Sequence, residues 1–267
     1  MLPRVNLVRG DQDDYLLFST SDHITRAILR NGSWDDDLLK VSAAIYDGLD
    51  APIVLDVGAN LGGYCVPVGR DLQKSGGKVI AFEPQRIVYY QLCGNIFLNR
   101  LDNVEALHMA VGETSAEIEI PQTNYQKSIN TGAFSLNKTY RENHGIESAM
   151  LKSTDSVWCT RLDDQAFKKA PCLVKIDVEG HELAVLKGSA KFLEASCYPF
   201  LMFEAWSFDW YRTQKKALIR FVESMGYTVS HIRGDEFLAT HKSSASQIDI
   251  TVKRNKVMDA SRVKKLA

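Results

Sequence analysis

The sequence predicts an α/β fold of the doubly wound kind, in which helices cover both faces of a mostly parallel sheet. From residue 53 onward, short apolar runs alternate with segments of helical periodicity, and this alternation is typical of that fold. Runs 53–57 and 78–82 are predominantly apolar, as expected for parallel strands that are buried on both faces. A chain of 267 residues is long enough for one such domain with a small additional lobe.

Residues 1–50 are predicted to form a mainly helical extension at the N-terminal end of this domain. Segment 14–18 is expected to be a short strand, 22–30 an amphipathic helix and 35–48 a second helical stretch. We expect the extension to pack in front of the core domain and to act as a lid over its site.

Residues 51–252 are expected to form the main domain. Its strands are predicted at 53–57, 78–82, 104–109, 172–177 and 200–204, with two closing strands at 227–230 and 236–240. Its helices are predicted at 63–74, 85–100, 181–194 and 211–224.

Two segments depart from the strand–helix alternation. Segment 121–158 is polar and has no clean period, and a stretch of that length inside a compact domain indicates an insertion or a loop that binds the acceptor. Segment 253–267 is rich in lysine and arginine and has few apolar residues, which predicts a disordered basic tail.

The composition excludes several classes of protein. The formal net charge is −1, from 32 basic and 33 acidic residues, so no global field attracts nucleic acid or an anionic membrane. The five cysteines include no C-x-x-C pair, which indicates neither a zinc site nor a disulfide framework. No signal peptide and no membrane-spanning stretch is recognisable, so a cytoplasmic protein is expected.

The first chemical motif is a glycine-containing turn at the end of strand 53–57, with the sequence DVGANLGGY. Gly58 and Gly62 let the backbone approach a ligand closely, since glycine carries no Cβ atom. Such a turn, followed by a helix, forms the general ligand crevice of an open α/β sheet. Asn60 stands where the dinucleotide fingerprint G-x-G-x-x-G has its second glycine, so the turn does not match that fingerprint.

Acidic residues end the following strands. Glu83 follows strand 78–82, where an acidic residue meets the ribose in nucleoside-binding α/β folds. A carboxylate accepts hydrogen bonds only, which suits the two hydroxyls of a ribose. Further along, KIDVEGHE places Asp177, Glu179 and His181 where strand 172–177 ends, and Glu204 ends strand 200–204.

These motifs together resemble the FkbM-like family of class I S-adenosylmethionine-dependent methyltransferases. DVGANLGGY, AFEPQ, RLDD at 161–164, KIDVEGHE with VLKGS, and FEAW occur in the order typical of that family, over about 53–206. Segment 130–136 also looks like the family's TG-x-x-S loop. The resemblance implies a Rossmann-like seven-stranded fold and transfer of a sulfonium methyl group, usually to a hydroxyl oxygen of a small molecule or sugar.

The resemblance also implies roles for individual residues. Gly58, Asn60 and Gly62 would wrap the methionine part of S-adenosylmethionine, and Glu83 would hold its ribose. The remaining cofactor-side residues are Asp56, which would order the turn through backbone N–H groups, Ala110, beside which the adenine would lie, and Asp177, opposite the ammonium group of the cofactor or the acceptor.

The candidate catalytic residues are His181 and Asp177. The transfer requires mainly alignment of the acceptor and removal of one proton. His181 is the only histidine next to the motif, and we therefore predict that it is the base. We expect no metal, although Asp177, Glu179 and Glu204 could form a carboxylate site.

Two other interpretations stay open at this point. An NAD-linked dehydrogenase would also use a glycine turn and a ribose-binding acid, but it would require the G-x-G-x-x-G spacing. A binding or scaffold module with the same fold but no activity would be favoured if the acidic residues of the motifs were replaced, and they are all present. The oligomeric state cannot be read from the sequence.

Overall fold

The computed structural model describes residues 2–10, 12–19, 23–124, 138–143, 150–244, 248–253 and 256–262. In chain order its strands are β1 (Val5–Arg9), β2 (Asp14–Phe18), β3 (Ile53–Val57), β4 (Lys78–Phe82), β5 (Val104–Leu107), β6 (Ala110–Val111), β7 (Ala116–Thr123), β8 (Met150–Thr160), β9 (Leu173–Ile176), β10 (Phe200–Glu204), β11 (Thr228–Arg233), β12 (Glu236–Thr240), β13 (Ile248–Lys253) and β14 (Lys256–Arg262). Its α-helices are α1 (His23–Asn31), α2 (Asp36–Tyr46), α3 (Cys65–Gln73), α4 (Arg86–Leu98), α5 (Lys138–Asn143), α6 (Glu182–Lys187), α7 (Ala190–Ala195) and α8 (Arg212–Ser224).

A seven-stranded sheet forms the centre of the domain, in the order β11-β12-β10-β9-β3-β4-β5. All pairings from β10 to β5 are parallel, whereas β12 is antiparallel to both of its neighbours. Only β12 therefore runs against the other strands of this sheet. The predicted Rossmann-like α/β fold with a mostly parallel seven-stranded sheet is confirmed.

Alternating side chains of the sheet enter two separate hydrophobic cores. Along β3, Ile53, Leu55 and Val57 belong to one core, which α6, α7 and α8 cover. Val54 belongs to the other core, which α2, α3 and α4 cover. This period of two is that of a strand with helices on both faces, so the predicted covering of both faces is confirmed.

The N-terminal extension is less helical than predicted, because it begins with a β-hairpin of β1 and β2. The free edge of β2 is satisfied by side chains of α4 instead of by another strand. Asn95 Oδ1 accepts a hydrogen bond from Leu16 N (2.6 Å), and Gln91 Nε2 donates one to Leu16 O (2.7 Å). Strand β1 is largely exposed, although Val5, Leu7 and Val8 are apolar.

The expectation of a loop over 121–158 is wrong at both ends of that segment. Strand β7 continues to Thr123, and β8 begins at Met150 and pairs antiparallel with β7. The two strands form a ribbon that is exposed along much of its length, with Trp158 49% exposed. Strand β7 shows the alternation of a half-exposed strand at 116–120, but residues 122–124 and 152–156 are polar and carry no such period. Segment 130–136, which resembles the TG-x-x-S loop, lies outside the described residues.

The single helix predicted over 181–194 is two short helices, α6 and α7, separated by Gly188 and Ser189. The chain at Gly188 packs directly against the backbone of Gly112, so that a Cβ atom there would lie 1.9 Å from Gly112 O. This close approach at the end of α6 is a tertiary contact, and the apolar periodicity of the sequence carries no sign of it.

The prediction of a disordered tail from residue 253 is wrong for residues 256–262. They form β14, which pairs antiparallel with β13. Val257 is 2% exposed in the core beneath α2, and Arg262 Nη1 donates a hydrogen bond to Asp47 O (2.7 Å). Strand β14 has the composition of a polar tail, but it is held by the burial of Val257 and by backbone hydrogen bonds to β13. Within the described residues, no helix has the length and apolar character to cross a membrane.

Candidate active site

A cavity of about 370 Å³ lies at the carboxyl ends of the central strands, where ligands bind in open α/β sheets. The glycine turn and the ends of β4 and β9 form one side of it. The other side is formed by residues that follow β10, by the turn before β12, by α5 and by the extension. Of the predicted site residues, those that line the cavity are Gly58, Asn60, Glu83, Ala110, Asp177 and His181.

Gly58 allows two strand ends to approach each other closely. Its φ angle is +89°, and a Cβ atom at this position would lie 1.9 Å from the carbonyl oxygen of Asp177. A side chain is therefore excluded both by conformation and by space. Gly62 also has a positive φ angle of +95°, but a Cβ atom there would face Leu92 and Val66 at 3.1 Å, within the protein. Gly62 accordingly shapes the turn without lining the cavity.

Glu83 connects strand β4 to the glycine turn. Its Oε2 accepts a hydrogen bond from Asn60 N (2.9 Å), and its Oε1 accepts one from Gln85 N (2.8 Å). The side chain is nearly fully buried, and burial raises the pKa of Glu83 to about 7, although the two backbone donors oppose that shift. Glu83 thus holds Asn60 in its left-handed conformation (φ +51°) and also lines the cavity.

Asp56 lies behind the cavity and not in its wall. It is fully buried, and no backbone N–H of the described residues donates to its carboxylate, so the expectation that it orders the turn in that way is wrong. Its neighbour is Lys175, which stands directly opposite it on β9, with Nζ 3.5 Å from Asp56 Oδ1. Because side chains alternate along β3, Asp56 faces the same side of the sheet as Val54, which α2, α3 and α4 cover.

Lys175, the first residue of the KIDVEGHE motif, also lines the cavity, and the motif itself indicates no role for it. Its Nζ lies 3.2 Å from Asp177 Oδ2 and 5.2 Å from the centroid of the Tyr64 ring. Burial alone would lower the pKa of Lys175, but the carboxylates of Asp177 and Asp56 raise it well above its usual range. Lys175 is therefore a fixed cation that holds Asp177 at the edge of the cavity.

The turn after β9 presents Glu179 and His181 to the cavity. Glu179 has a φ angle of +53°, a left-handed conformation that is uncommon for a residue with a side chain. Nε2 of His181 is buried and has no hydrogen-bond partner among the described residues. Burial lowers the pKa of His181, and the charge of Arg141 lowers it further, so that the imidazole is neutral near pH 7.

Two glutamates face each other across β10 and β12. Glu204 and Glu236 are directly opposite in the antiparallel register, and both line the cavity. Burial and nearby carboxylates raise the pKa of Glu204 well above its usual range and that of Glu236 to about 8. Glu236 was missed in the sequence because β12 shows no motif, and only the pairing of the sheet brings it to the site.

An aromatic wall, defined here as Tyr140, Trp206 and Phe208, forms one side of the cavity. Tyr140 and Trp206 are stacked with ring centroids 4.3 Å apart, and Trp206 and Phe208 lie at 6.0 Å. The indole Nε1 of Trp206 donates a hydrogen bond to Glu204 Oε2 (2.7 Å). Tyr140 belongs to α5, so the segment predicted to bind the acceptor does reach the cavity.

The N-terminal extension reaches the cavity through the connection between α1 and α2. Trp34 packs against Gly63 of the glycine turn, and Asp35 forms an ion pair with Arg233 at the end of β11. Burial raises the pKa of Asp35 to about 6, while Arg233 and Lys175 oppose that shift. In the part of the chain that the structure describes, no group of three or more potential metal ligands has the geometry to hold a metal ion.

Comparison with known proteins identifies the class of enzyme. The model of the family described as "Methyltransferase FkbM domain" matches residues 56–229, which is more than half of the chain. The chain therefore belongs to the FkbM methyltransferase family, and the predicted resemblance is confirmed.

Individual relatives are more distant. The chain is 28% identical to methyltransferase sdnD of Sordaria araneosa over 207 residues, which are 69% of this chain and 76% of that protein. It is 25% identical to methyltransferase 1 of Beauveria bassiana over 154 residues, 52% of this chain and 59% of that protein. A crystal structure of methyltransferase FkbM from Methylobacillus flagellatus KT shares 20% identity with a TM-score of 0.48, over 72% of this chain and 45% of that chain.

Proposed function

We propose that the protein transfers a methyl group from S-adenosylmethionine to a hydroxyl oxygen of a small molecule or sugar. This proposal rests mainly on the hydrogen bonds that the Glu83 carboxylate accepts beside the glycine turn. Each carboxylate oxygen of Glu83 accepts one backbone N–H, and each keeps a second lone pair that can accept a ribose hydroxyl. Family membership supports the methyl transfer itself.

The charges of the cavity also fit this cofactor. S-adenosylmethionine, when bound, would supply a methyl group on a sulfonium sulfur, which an oxygen nucleophile takes in line while the carbon–sulfur bond breaks and S-adenosylhomocysteine leaves. Asp177, Glu179 and Glu204 line the cavity, and burial together with mutual repulsion raises the pKa of Glu179 and Glu204 well above the usual range, so a cationic ligand that favours their ionised forms would be bound in preference to a neutral one. A glycine turn that lacks the G-x-G-x-x-G spacing argues against NAD.

His181 is the residue best suited to remove the hydroxyl proton of the acceptor. Its neutral imidazole can take that proton at Nε2, the buried atom without a partner among the described residues. The carboxylate of Asp177 lines the same cavity and would stabilise the imidazolium that forms. The role of Asp177 is thus electrostatic, and Lys175 holds it in position.

The size and charge of the cavity support a small acceptor. A volume of about 370 Å³ is within the range of small-molecule pockets, and the aromatic wall offers flat apolar surface for a ring. Lys175, the lysine that lines the cavity, is already engaged with Asp56 and Asp177. Among the described lining residues no unengaged lysine or arginine is present to bind phosphate groups, which argues against a nucleic acid acceptor.

Calorimetry with S-adenosylmethionine, S-adenosylhomocysteine and NAD tests the cofactor. We expect the first two to bind and to raise the melting temperature, because a ligand of the folded state stabilises it by mass action. NAD should do neither. A shift with NAD and none with the two methionine compounds would refute the proposal.

A transfer assay with radiolabelled S-adenosylmethionine over glycans, small hydroxylated metabolites and RNA tests the acceptor. Label should appear in a glycan or metabolite and be absent from RNA. Binding of S-adenosylhomocysteine without transfer to any of the three classes would favour a silent cofactor-binding module.

A further inference from the structure

We infer that Glu182 is a positioning residue for methyl transfer, which holds the turn 177–181 in shape and couples it to the aromatic wall. The inference rests on the proposed function, because it assigns to Glu182 the alignment of Asp177, Glu179 and His181. Glu182 is the last residue of KIDVEGHE and does not line the cavity.

The carboxylate of Glu182 stabilises this turn by hydrogen bonds to its backbone. Its Oε1 accepts hydrogen bonds from Val178 N (3.2 Å) and Gly180 N (3.0 Å). These two N–H groups flank Glu179, which has the left-handed conformation. The side chain of Glu182 is 1% exposed, so water cannot replace it as the acceptor for both donors. The conformation that presents Glu179 therefore depends on this one oxygen.

The second oxygen of Glu182 reaches the other side of the site. Tyr211 Oη donates a hydrogen bond to Glu182 Oε2 (3.2 Å), and the Tyr211 ring packs on Trp206 with centroids 5.0 Å apart. Trp206 in turn lies on Gly180, where a Cβ atom would come within 2.8 Å of the indole. Glu182 therefore contacts Tyr211, Tyr211 contacts Trp206, and Trp206 contacts the turn that Glu182 stabilises. A change at Glu182 is expected to loosen the turn and the wall together.

The atoms involved make a specific prediction for substitution by glutamine. Glutamine keeps the oxygen that accepts from Val178 and Gly180, and its amide can donate to Tyr211 Oη, since a phenol both donates and accepts. Glutamine can therefore make all three hydrogen bonds, with donor and acceptor exchanged in the one to Tyr211. Alanine removes all three and leaves two buried N–H groups without an acceptor.

The experiment compares Glu182→Ala with Glu182→Gln by calorimetry with S-adenosylhomocysteine. We expect binding to be at least about tenfold weaker in Glu182→Ala, as for the loss of hydrogen bonds to a charged group, and within about threefold of the unmodified protein in Glu182→Gln. Hydrogen exchange of a peptide spanning 177–181 should be faster in Glu182→Ala only, a readout that needs no ligand. Tyr211→Phe serves as a milder variant if Glu182→Ala does not fold.

A matched control separates positioning from general stability. Leu218→Ala removes a buried side chain of α8 away from the cavity, and should lower the melting temperature without changing the affinity for S-adenosylhomocysteine. Equal affinity and equal exchange in a folded Glu182→Ala protein would overturn the inference. The inference would also be overturned if Glu182→Gln bound S-adenosylhomocysteine as weakly as Glu182→Ala does. If the unmodified protein binds no S-adenosylhomocysteine, the proposed function fails, and the exchange measurement still decides the role of Glu182.

Discussion

The two sides of the cavity differ in how their residues are brought together. On the cofactor side, the glycine turn and Glu83 come from the ends of adjacent strands, within 56–83, and backbone N–H groups connect them. On the acceptor side, the lining residues come from the extension, α5, the far end of the turn after β9 and the residues near β10 and β12. Asp177, at the start of that turn, packs against Gly58 on the cofactor side. Side-chain contacts such as the stack of Tyr140 on Trp206 hold that side together.

This difference predicts different consequences of substitution. A site built from backbone and one buried carboxylate has little freedom, so a single added atom should disrupt it. A wall of side chains from separate segments can change its lining without changing the sheet. The family match over 56–229 includes the cofactor side and, on the acceptor side, α5 and the residues near β10, but neither the extension nor β12.

The largest effect is expected from Gly58→Ala. The added Cβ would overlap Asp177 O, and φ +89° is unfavourable for alanine, so the free energy of unfolding should fall by about 3 kcal/mol or more. Chemical denaturation measures this. Gly76→Ala is the matched control, since Gly76 also has a positive φ (+68°) but nothing within 4 Å of a Cβ atom. Its cost should be about 1–2 kcal/mol. Equal losses in both variants would show that the close approach at Gly58 is unimportant.

His181→Ala tests the acceptor side at its catalytic residue. Methyl transfer to the acceptor found in the assay should fall at least about a hundredfold, the low end of what acid–base catalysis contributes. The affinity for S-adenosylhomocysteine should remain, because the residue is assigned to the acceptor. His231→Ala, at an exposed position on β11, should keep full activity.

The same assay tests the prediction that no metal is needed, since activity should survive EDTA. Loss with EDTA and rescue by magnesium would reassign Asp177 and its neighbours as ligands. Full activity of His181→Ala would leave Asp177 or Glu179 as the next base to test.

Glu83→Gln tests the cofactor side at its carboxylate. The amide group of glutamine would face either Asn60 N or Gln85 N, donor against donor, and one acceptor for the ribose is lost. Affinity for S-adenosylhomocysteine should fall about ten- to a hundredfold, as for the loss of a hydrogen bond to a charged group. Glu105→Gln, an exposed change on β5, is the control. Unchanged affinity would remove Glu83 from the site.

The pH dependence sharpens this prediction. Because burial raises the pKa of Glu83 to about 7, the ionised form that accepts the ribose hydroxyls prevails only above that pH. Affinity should be constant well above pH 7 and fall as the pH is lowered through it, with a smaller slope in Glu83→Gln. The folding stability of the unliganded protein depends on pH in the opposite direction. The folded state retains this proton between the ordinary pKa and about 7, so this group's contribution to stability decreases as the pH rises over that range.

The smallest effect on the cofactor is expected from shortening the connection between β7 and β8. Replacing residues 125–149 by a short turn removes Tyr140 and its stack on Trp206 but keeps most of the ribbon. Affinity for S-adenosylhomocysteine should stay within about threefold, whereas activity on the acceptor should be lost. A collapse of cofactor affinity in a folded variant would assign this segment to the cofactor side. Tyr140→Phe, which keeps the ring, should retain activity.

The sequence alone predicts the strands of the sheet, the glycine turn and the position of Glu83. Buried parallel strands are short apolar runs, and the residues that follow them are adjacent in space because parallel strands end at one edge. The position of each such residue therefore predicts its place in the site. This reasoning failed for Asp56 and Gly62, which lie within the motif but face the interior.

The tertiary structure determines which residues line the acceptor side, whereas the sequence indicates only the segments that contribute to it. Glu236, Tyr140 and Trp34 come from segments without a motif, and strand pairing and packing bring them to the cavity. The same holds for β14, whose polar composition conceals its pairing with β13. The physical reason is common to all of them. A local pattern records which face of an element is buried, whereas contacts between distant segments depend on which elements the fold places side by side.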